Sequence, residues 1–270
     1  MEDQTFLPLQ QHPSFARALR RIGTTVSTSS LPQGGQVQVL RRFGLRFASR
    51  GPVWGQIPVD QRGLALRQAR LHLINADTHD PALRQAGFRQ THSGAYIAEM
   101  RLDDAALTRA HPKWRANWRK AQARGCTIRS APWDSERHRW LLQADLAQQR
   151  RAGFCALPHA LIPAFAATAR DAAVVYTAHL DNILIAAMLF LRHAPVVTYH
   201  LGWTSDLGRD CGAHHRMLID AAQDFHAQGC GRLDLGTIDT HHAPGLARFK
   251  IGSGAQIRQL GGTWIRLPGL

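Results

Sequence analysis

Residues 174–203 read VVYTAHLDNILIAAMLFLRHAPVVTYHLGW. Three apolar runs stand in this stretch: Val174–Leu180, Ile183–Leu191 and Val196–Trp203. Asp181-Asn182 separates the first two, and His193-Ala194-Pro195 separates the last two. Links of two or three residues join antiparallel neighbours, so the stretch predicts three strands in hairpin succession. A helix follows, with apolar residues at 217, 218, 221, 222 and 225 forming a core-facing stripe. Gly229 ends it, and a strand over 232–235 leads into LDLGTIDTHHAPGLARFKIGSG (233–254). The order is therefore strand, strand, strand, helix, strand, helix, strand.

Upstream of this segment the signals are shorter. Phe15, Leu19 and Ile22 fall at helical spacing. Strands are expected at Val37–Arg42 and Leu45–Ser49, with RGPVW (50–54) stopping the second. A helix over 60–70, a strand near 71–74, a short helix opened by Asp80-Pro81 and a strand over 95–102 follow. PKWRANWRKAQAR (112–124) reads as a basic helix closed by Gly125, with Trp114 and Trp118 on its core face. Asp134 is expected to cap a long helix, and 158–169 to form another. The segment 83–97 echoes 246–257 in layout, which suggests a tandem duplication divided near residues 103–112.

Charge is unevenly spread along the 270 residues. The net charge is +14, and residues 1–130 hold 20 Lys and Arg against 8 Asp and Glu. The excess peaks in 111–129, where Lys113, Arg115, Arg119, Lys120, Arg124 and Arg129 meet no acid. Such asymmetry points to an anionic partner: RNA, a nucleotide-linked substrate or a lipid phosphate. A hydrophobic fraction of 44% is globular. No run approaches the ~20 apolar residues that span a bilayer. The start, MEDQTFLPLQ, lacks an apolar signal core, so a cytoplasmic location without membrane insertion is the expectation. Cys126, Cys155, Cys211 and Cys230 form no CxxC pair, which favours buried free thiols over a zinc site or disulfides. The adjacent pairs His214-His215 and His241-His242 lack metal-ligand spacing, so no metal is expected. Walker and Gly-x-Ser-x-Gly motifs are absent from the sequence.

Three antiparallel strands, a helix and a strand is the core order of the GNAT acyltransferase fold. More specifically, the chain resembles the FemA/FemB/FemX family, which doubles that fold in one polypeptide. The matching elements are RGPVW (50–54), WRANWRKAQARG (114–125), YHLGW (199–203) and LDLGT…GLARFKIGSG (233–254). The resemblance implies an α+β chain of tandem GNAT-like domains, with mixed, mainly antiparallel sheets flanked by helices. A partial domain over 1–104 and a second over 105–270, opening with the basic helix, would be its halves.

The implied activity is N-acyl transfer: an acyl or aminoacyl group passes from an activated donor to an amine acceptor. The donor is aminoacyl-tRNA in FemABX members and an acyl-CoA or acyl-carrier thioester in related GNAT proteins, with no tightly bound cofactor. Nucleotide- or lipid-phosphate-linked amines are among the candidate acceptors. A non-catalytic GNAT-like module that binds RNA or anionic precursors is the alternative from another class. Aminolysis needs a neutral amine, a site for the oxyanion and a route for the proton. Lys250 is the candidate cation, with Phe249 beside it. Asp239 or Asp234 would hold the amine, and His200 or His241 would relay the proton. Arg50, Arg115 and Arg119 are candidate phosphate contacts, and Tyr199 completes the expected substrate-binding set. CoA-dependent members cradle pyrophosphate with an Arg/Gln-x-x-Gly-x-Gly/Ala loop. Here Arg209 and Gly212 fit that pattern, and His214 stands where a small residue belongs.

Overall fold

The computed structural model describes residues 6–32, 35–153 and 156–266. Cys155 and the first five residues read for a leader lie outside that set. In chain order the strands are β1 (Val26–Ser30), β2 (Gln36–Arg42), β3 (Leu45–Ser49), β4 (Leu73–Ala76), β5 (Arg89–His92), β6 (Tyr96–Arg101), β7 (Thr127–Pro132), β8 (Ala173–Leu180), β9 (Ile183–His193), β10 (Val196–Thr204), β11 (Arg232–Thr237), β12 (Gln256–Gln259) and β13 (Gly262–Ile265). The helices are α1 (Pro13–Arg21), α2 (Val59–Gln68), α3 (Ala82–Gln85), α4 (Pro112–Ala123), α5 (Arg139–Ala152), α6 (Leu161–Ala166), α7 (Asp206–Cys211), α8 (Ala213–Ala227) and α9 (Pro244–Gly252).

Contacts divide the chain into two units: residues 1–96 with 259–270, and residues 97–258. The second unit carries a seven-stranded sheet in the order β12-β6-β11-β10-β9-β8-β7. Its three central hairpin strands are those expected from 174–203. β9 is buried almost end to end, which is why its sequence is a continuous apolar run rather than an alternating one. Asp181 and Asn182 both take positive φ (50° and 63°), the two-residue turn that suits twisted strands. α4 and α8 pack together, and their Trp114, Ala121, Met217, Leu218 and Phe225 share one core with Tyr176, Met188, Phe190 and Leu233 of the sheet. α5 packs on β10, and Leu141, Leu161, Ile162 and Phe165 of α5 and α6 are buried outside that cluster.

The first unit carries a six-stranded sheet in the order β1-β2-β3-β4-β13-β5. Its core gathers Val37, Val39, Ala48, Leu66, Ile74 and Trp264. β1, β2 and β3 are antiparallel neighbours, α2 follows, and β4 returns parallel to β3. That is the order of β8, β9, β10, α8 and β11, so the tandem reading describes both units. Each sheet also holds a strand from the other end of the chain's path. β6 lies between β11 and β12, and β13 lies between β4 and β5. Division at residue 104 placed the last strand with the second unit, whereas its contacts are with β4 and β5. Among the described residues no helix is long and apolar enough to cross a membrane. Cys126, Cys211 and Cys230 are buried free thiols.

Candidate functional site

β10 and β11 begin as a parallel pair and then part. Val196 pairs Arg232, Val197 pairs Leu233 and Thr198 pairs Asp234, and no further pairs form between them among the described residues. Both strands break register on their other side at this level. Tyr199 pairs Phe190 and Leu201 pairs Leu189, which leaves His200 as the extra residue of a bulge. Asp234 pairs Glu99 and Gly236 pairs Ala98, which makes Leu235 the extra residue of a second. Bulges bend a strand and re-aim its side chains. Two at one level open the sheet between the strands.

The loop after β11 leads into α9, whose first turn is started by Pro244. α9 carries Lys250 back toward β11. This lysine is 5% exposed, and its Nζ donates to the Thr237 carbonyl at 2.8 Å, its one hydrogen bond among the described residues. Burial lowers its pKa from 10.5 to about 8, against the pull of the Asp234 carboxylate in the other direction. At neutral pH the side chain is still mostly a cation, with N–H donors to spare. Gly236 takes φ 77°, and a Cβ there would sit 3.8 Å from Lys250 Nζ. Asp234, also buried, accepts from the Gly236 amide at 2.7 Å and so holds the bulge beside the lysine.

An aromatic wall backs this position. Phe249 lies 5.9 Å from Trp114, 5.2 Å from His215 and 6.0 Å from His214 between ring centroids. Trp114 Nε1 donates to the Phe249 carbonyl at 3.0 Å, so the basic helix is anchored on α9. Burial pushes His214 and His215 down to about 4, which keeps both rings neutral. His214 Nε2 lies 3.0 Å from the Trp203 carbonyl, and a carbonyl can only accept, so this nitrogen carries the proton.

A second group of polar side chains meets the bulge of β10 from α5. Trp140 packs edge-on against Trp203 at 5.2 Å. Further along α5, the Asp145 side chain is 9% exposed, and its Oδ2 lies 2.7 Å from His159 Nε2. Gln149 Nε2 donates to the same oxygen at 2.6 Å. The Asp145 carboxylate acts electrostatically on Tyr199 and His200. Tyr199 is pushed up, first by burial and then by that charge. His200 is pushed down to about 4 by burial and remains neutral. Asp145, Gln149 and His159 were not among the residues expected from the sequence. The available signal was Asp145 itself, an acid one turn after Leu141 on a stripe that should be apolar.

A model of the GNAT acetyltransferase domain matches residues 108–250, just over half of the chain. The chain belongs to the GNAT acetyltransferase-domain family. No curated protein matches its sequence. Among solved structures, FemX has a TM-score of 0.75 at 15% identity, covering 95% of this chain and 91% of that chain. L-PGS from Bacillus licheniformis has a TM-score of 0.59 at 14% identity, covering 98% and 94%. At these identities the likeness is one of fold, and the fold it supports is the doubled, FemX-like GNAT arrangement. Family membership makes acyl transfer the reaction class.

The remaining expected residues of this GNAT chain lie elsewhere. Asp239 is exposed, and its Oδ1 accepts from the His241 and His242 amides while Oδ2 lies 2.8 Å from His242 Nδ1. These bonds hold its carboxyl below the ordinary range and make it a loop cap. His241 is exposed on the same loop. Arg50 belongs to the first unit, where its guanidinium pairs with Asp77. Arg115 donates to the Thr108 carbonyl at 3.0 Å, and Arg119 is exposed on α4. Arg209 pairs with Asp206 at 2.6 Å within α7. Gly212 joins α7 to α8 at φ 79°, and a Cβ there would sit 2.5 Å from the Asn117 carbonyl oxygen. Arg209 thus lies in α7, and Gly212 packs against α4 at the start of α8.

Proposed function

We propose that this protein is an N-acyltransferase that takes its activated donor at the opening between β10 and β11 and passes an acyl or aminoacyl group to an amine. Lys250 carries the reading: a buried cation with one hydrogen bond among the described residues, beside the level at which two strands part. The amine nitrogen attacks the donor carbonyl carbon, and the developing oxyanion is stabilised by the Lys250 ammonium. A cation in a desolvated site is worth far more to such an oxygen than one in water. Phe249 and Trp114 exclude water from one side, while the neutral His214 and His215 add no competing charge.

Aminoacyl-tRNA is the proposed donor. The α7–α8 junction supports a donor other than CoA, because Gly212, where a pyrophosphate loop would run, packs against the Asn117 carbonyl and His214 stands in place of a small residue. Exposed Lys113, Arg119 and Lys120 on α4, with Arg124 capping it, suit a polyanionic carrier. Acyl-CoA is the second reading, supported by the acetyltransferase-domain match over 108–250. The test offers charged tRNA and acyl-CoA separately to a panel of primary amines and detects the amide by mass spectrometry. Amide from charged tRNA alone is expected. Product only from acyl-CoA would overturn the donor, and no product from either would overturn the reaction class.

A further inference from the structure

Asp145 occupies a place in α5 that packing reserves for an aliphatic side chain. Leu141, one turn earlier, is fully buried, and the Asp145 side chain is only 9% exposed. A buried carboxylate without partners costs several kcal/mol. Its Oδ2 is satisfied twice, by Gln149 Nε2 at 2.6 Å and by His159 Nε2 at 2.7 Å. Its Oδ1 accepts no hydrogen bond among the described residues. A carboxylate can only accept in such a contact, so His159 carries a proton on Nε2, and the neutral ring presents Nδ1 as its acceptor. Nδ1 has no partner among the described residues, and the ring is 24% exposed. One face of this dyad therefore offers an anionic oxygen and a basic nitrogen together.

The dyad acts on β10 at the level where the opening starts. α5 packs on β10, Trp140 holds Trp203, and the Asp145 charge reaches Tyr199 and His200, the residues at which β10 leaves β11. Gln149 on α5 and the neutral His200 and Tyr199 on β10 interact with the dyad, and none of the three repels a cation. We propose that Asp145 and His159 form the acceptor site of the acyl transfer, binding a primary ammonium against Asp145 Oδ1 and removing its proton at His159 Nδ1. This rests on the donor opening proposed above. The ammonium R–NH3+ gives one proton to His159, and its freed lone pair forms the new C–N bond to the donor carbonyl carbon. The tetrahedral oxyanion collapses, the C–O or C–S bond to the carrier breaks, and the second amine proton leaves with the carrier's hydroxyl or thiol. His159 returns its proton to solvent, and Asp145 stabilises the imidazolium in between.

A purely structural role, tying the α5–α6 loop through Gln149 Oε1 and the Ala156 amide, is the competing account. Two acceptors separate them: n-butylamine, an ammonium at about pH 7, and hydroxylamine, already neutral there. Transfer is measured for the whole protein, for His159→Gln and for Asp145→Asn, each checked for folding by thermal melting, with the donor that the wild type uses. His159→Gln is expected to lose about 100-fold or more with n-butylamine. It should stay within about threefold of wild type with hydroxylamine, and regain part of its n-butylamine transfer as pH rises from about 6 toward 8, the range in which Lys250 keeps its proton. Equal losses with both acceptors would overturn the dyad's role and leave the donor opening intact. If the wild type transfers to neither, the donor reading fails, and the amine site is judged alone by NMR of the His159 ring. A shift on adding n-butylamine that Asp145→Asn abolishes supports the site, and no shift overturns it.

Discussion

The two units build the same parallel strand pair and finish it in opposite ways. In the first, Phe47, Ala48 and Ser49 of β3 pair Leu73, Ile74 and Asn75 of β4. In the second, Val196, Val197 and Thr198 of β10 pair Arg232, Leu233 and Asp234 of β11. One residue past the last pair on the leading strand stands Arg50 in the first unit and Tyr199 in the second. Two residues past it on the returning strand stand Asp77 and Gly236. Arg50 turns into the left-handed region at φ 52° and pairs with Asp77, their side chains 10% and 16% exposed. Gln11 closes the space behind them, donating to the Ser49 carbonyl at 2.7 Å and accepting from the Gln38 amide at 2.9 Å. In the second unit a glycine stands opposite instead, and a buried lysine looks onto it. The same parallel pair of strands ends in an ion-paired brace in the first unit and in an opening in the second. Chemistry is to be sought where no such ion pair joins the strand ends.

That contrast can be broken most severely by giving the second unit the first unit's residue. Gly236→Asp forces a side chain into φ 77° and sets a carboxylate beside Lys250, neutralising it. Transfer is expected to fall about 1,000-fold in a steady-state assay. The lysine's proton supplies the next test. Its pKa is about 8 in the folded chain against 10.5 when free. With hydroxylamine as acceptor, neutral above about pH 7, the transfer rate should therefore fall about tenfold per pH unit above 8. Stability should move the other way. Between those two values the unfolded chain holds more protons than the folded one, so thermal melting should show stability rising with pH there. The smallest effect on transfer belongs to the first unit. Arg50→Ala strands a mostly buried carboxylate and should cost about 3 kcal/mol in denaturant unfolding, while transfer per folded molecule stays within about threefold.

Much of the fold was legible in the sequence because it rests on local signals. The 174–203 strands are apolar along their length, and Asp181-Asn182 has the turn chemistry they need. β1 was not legible. Val26 is the only apolar residue in Val26–Ser30, and the strand exists because β2 pairs along it. The place of β13 was equally hidden, since Trp264 is buried by strands far away in the chain. At the candidate site, the FemABX-like layout of 233–254 pointed to Lys250, Phe249 and Asp234, which the fold brings to the strand opening. Asp239 and His241 have the right chemical types, but their loop is exposed and Asp239 is spent on its own backbone. Arg209 and Gly212 match a phosphate-loop spacing, yet six residues wound as α7 close it. Asp145 and His159 come together only through the packing of α5 on β10 and the turn of the chain before α6, which no spacing rule encodes.

The central claim is that the buried cation beside the β10–β11 opening does the work of transfer. It is tested most directly by the single-turnover rate of acyl transfer for Lys250→Met at about pH 7, measured on protein whose melting temperature is not lowered. A loss of about 100-fold or more is predicted, with folding unharmed because a desolvated charge has been replaced by an apolar chain of similar length. A wild-type rate in that variant would contradict the account.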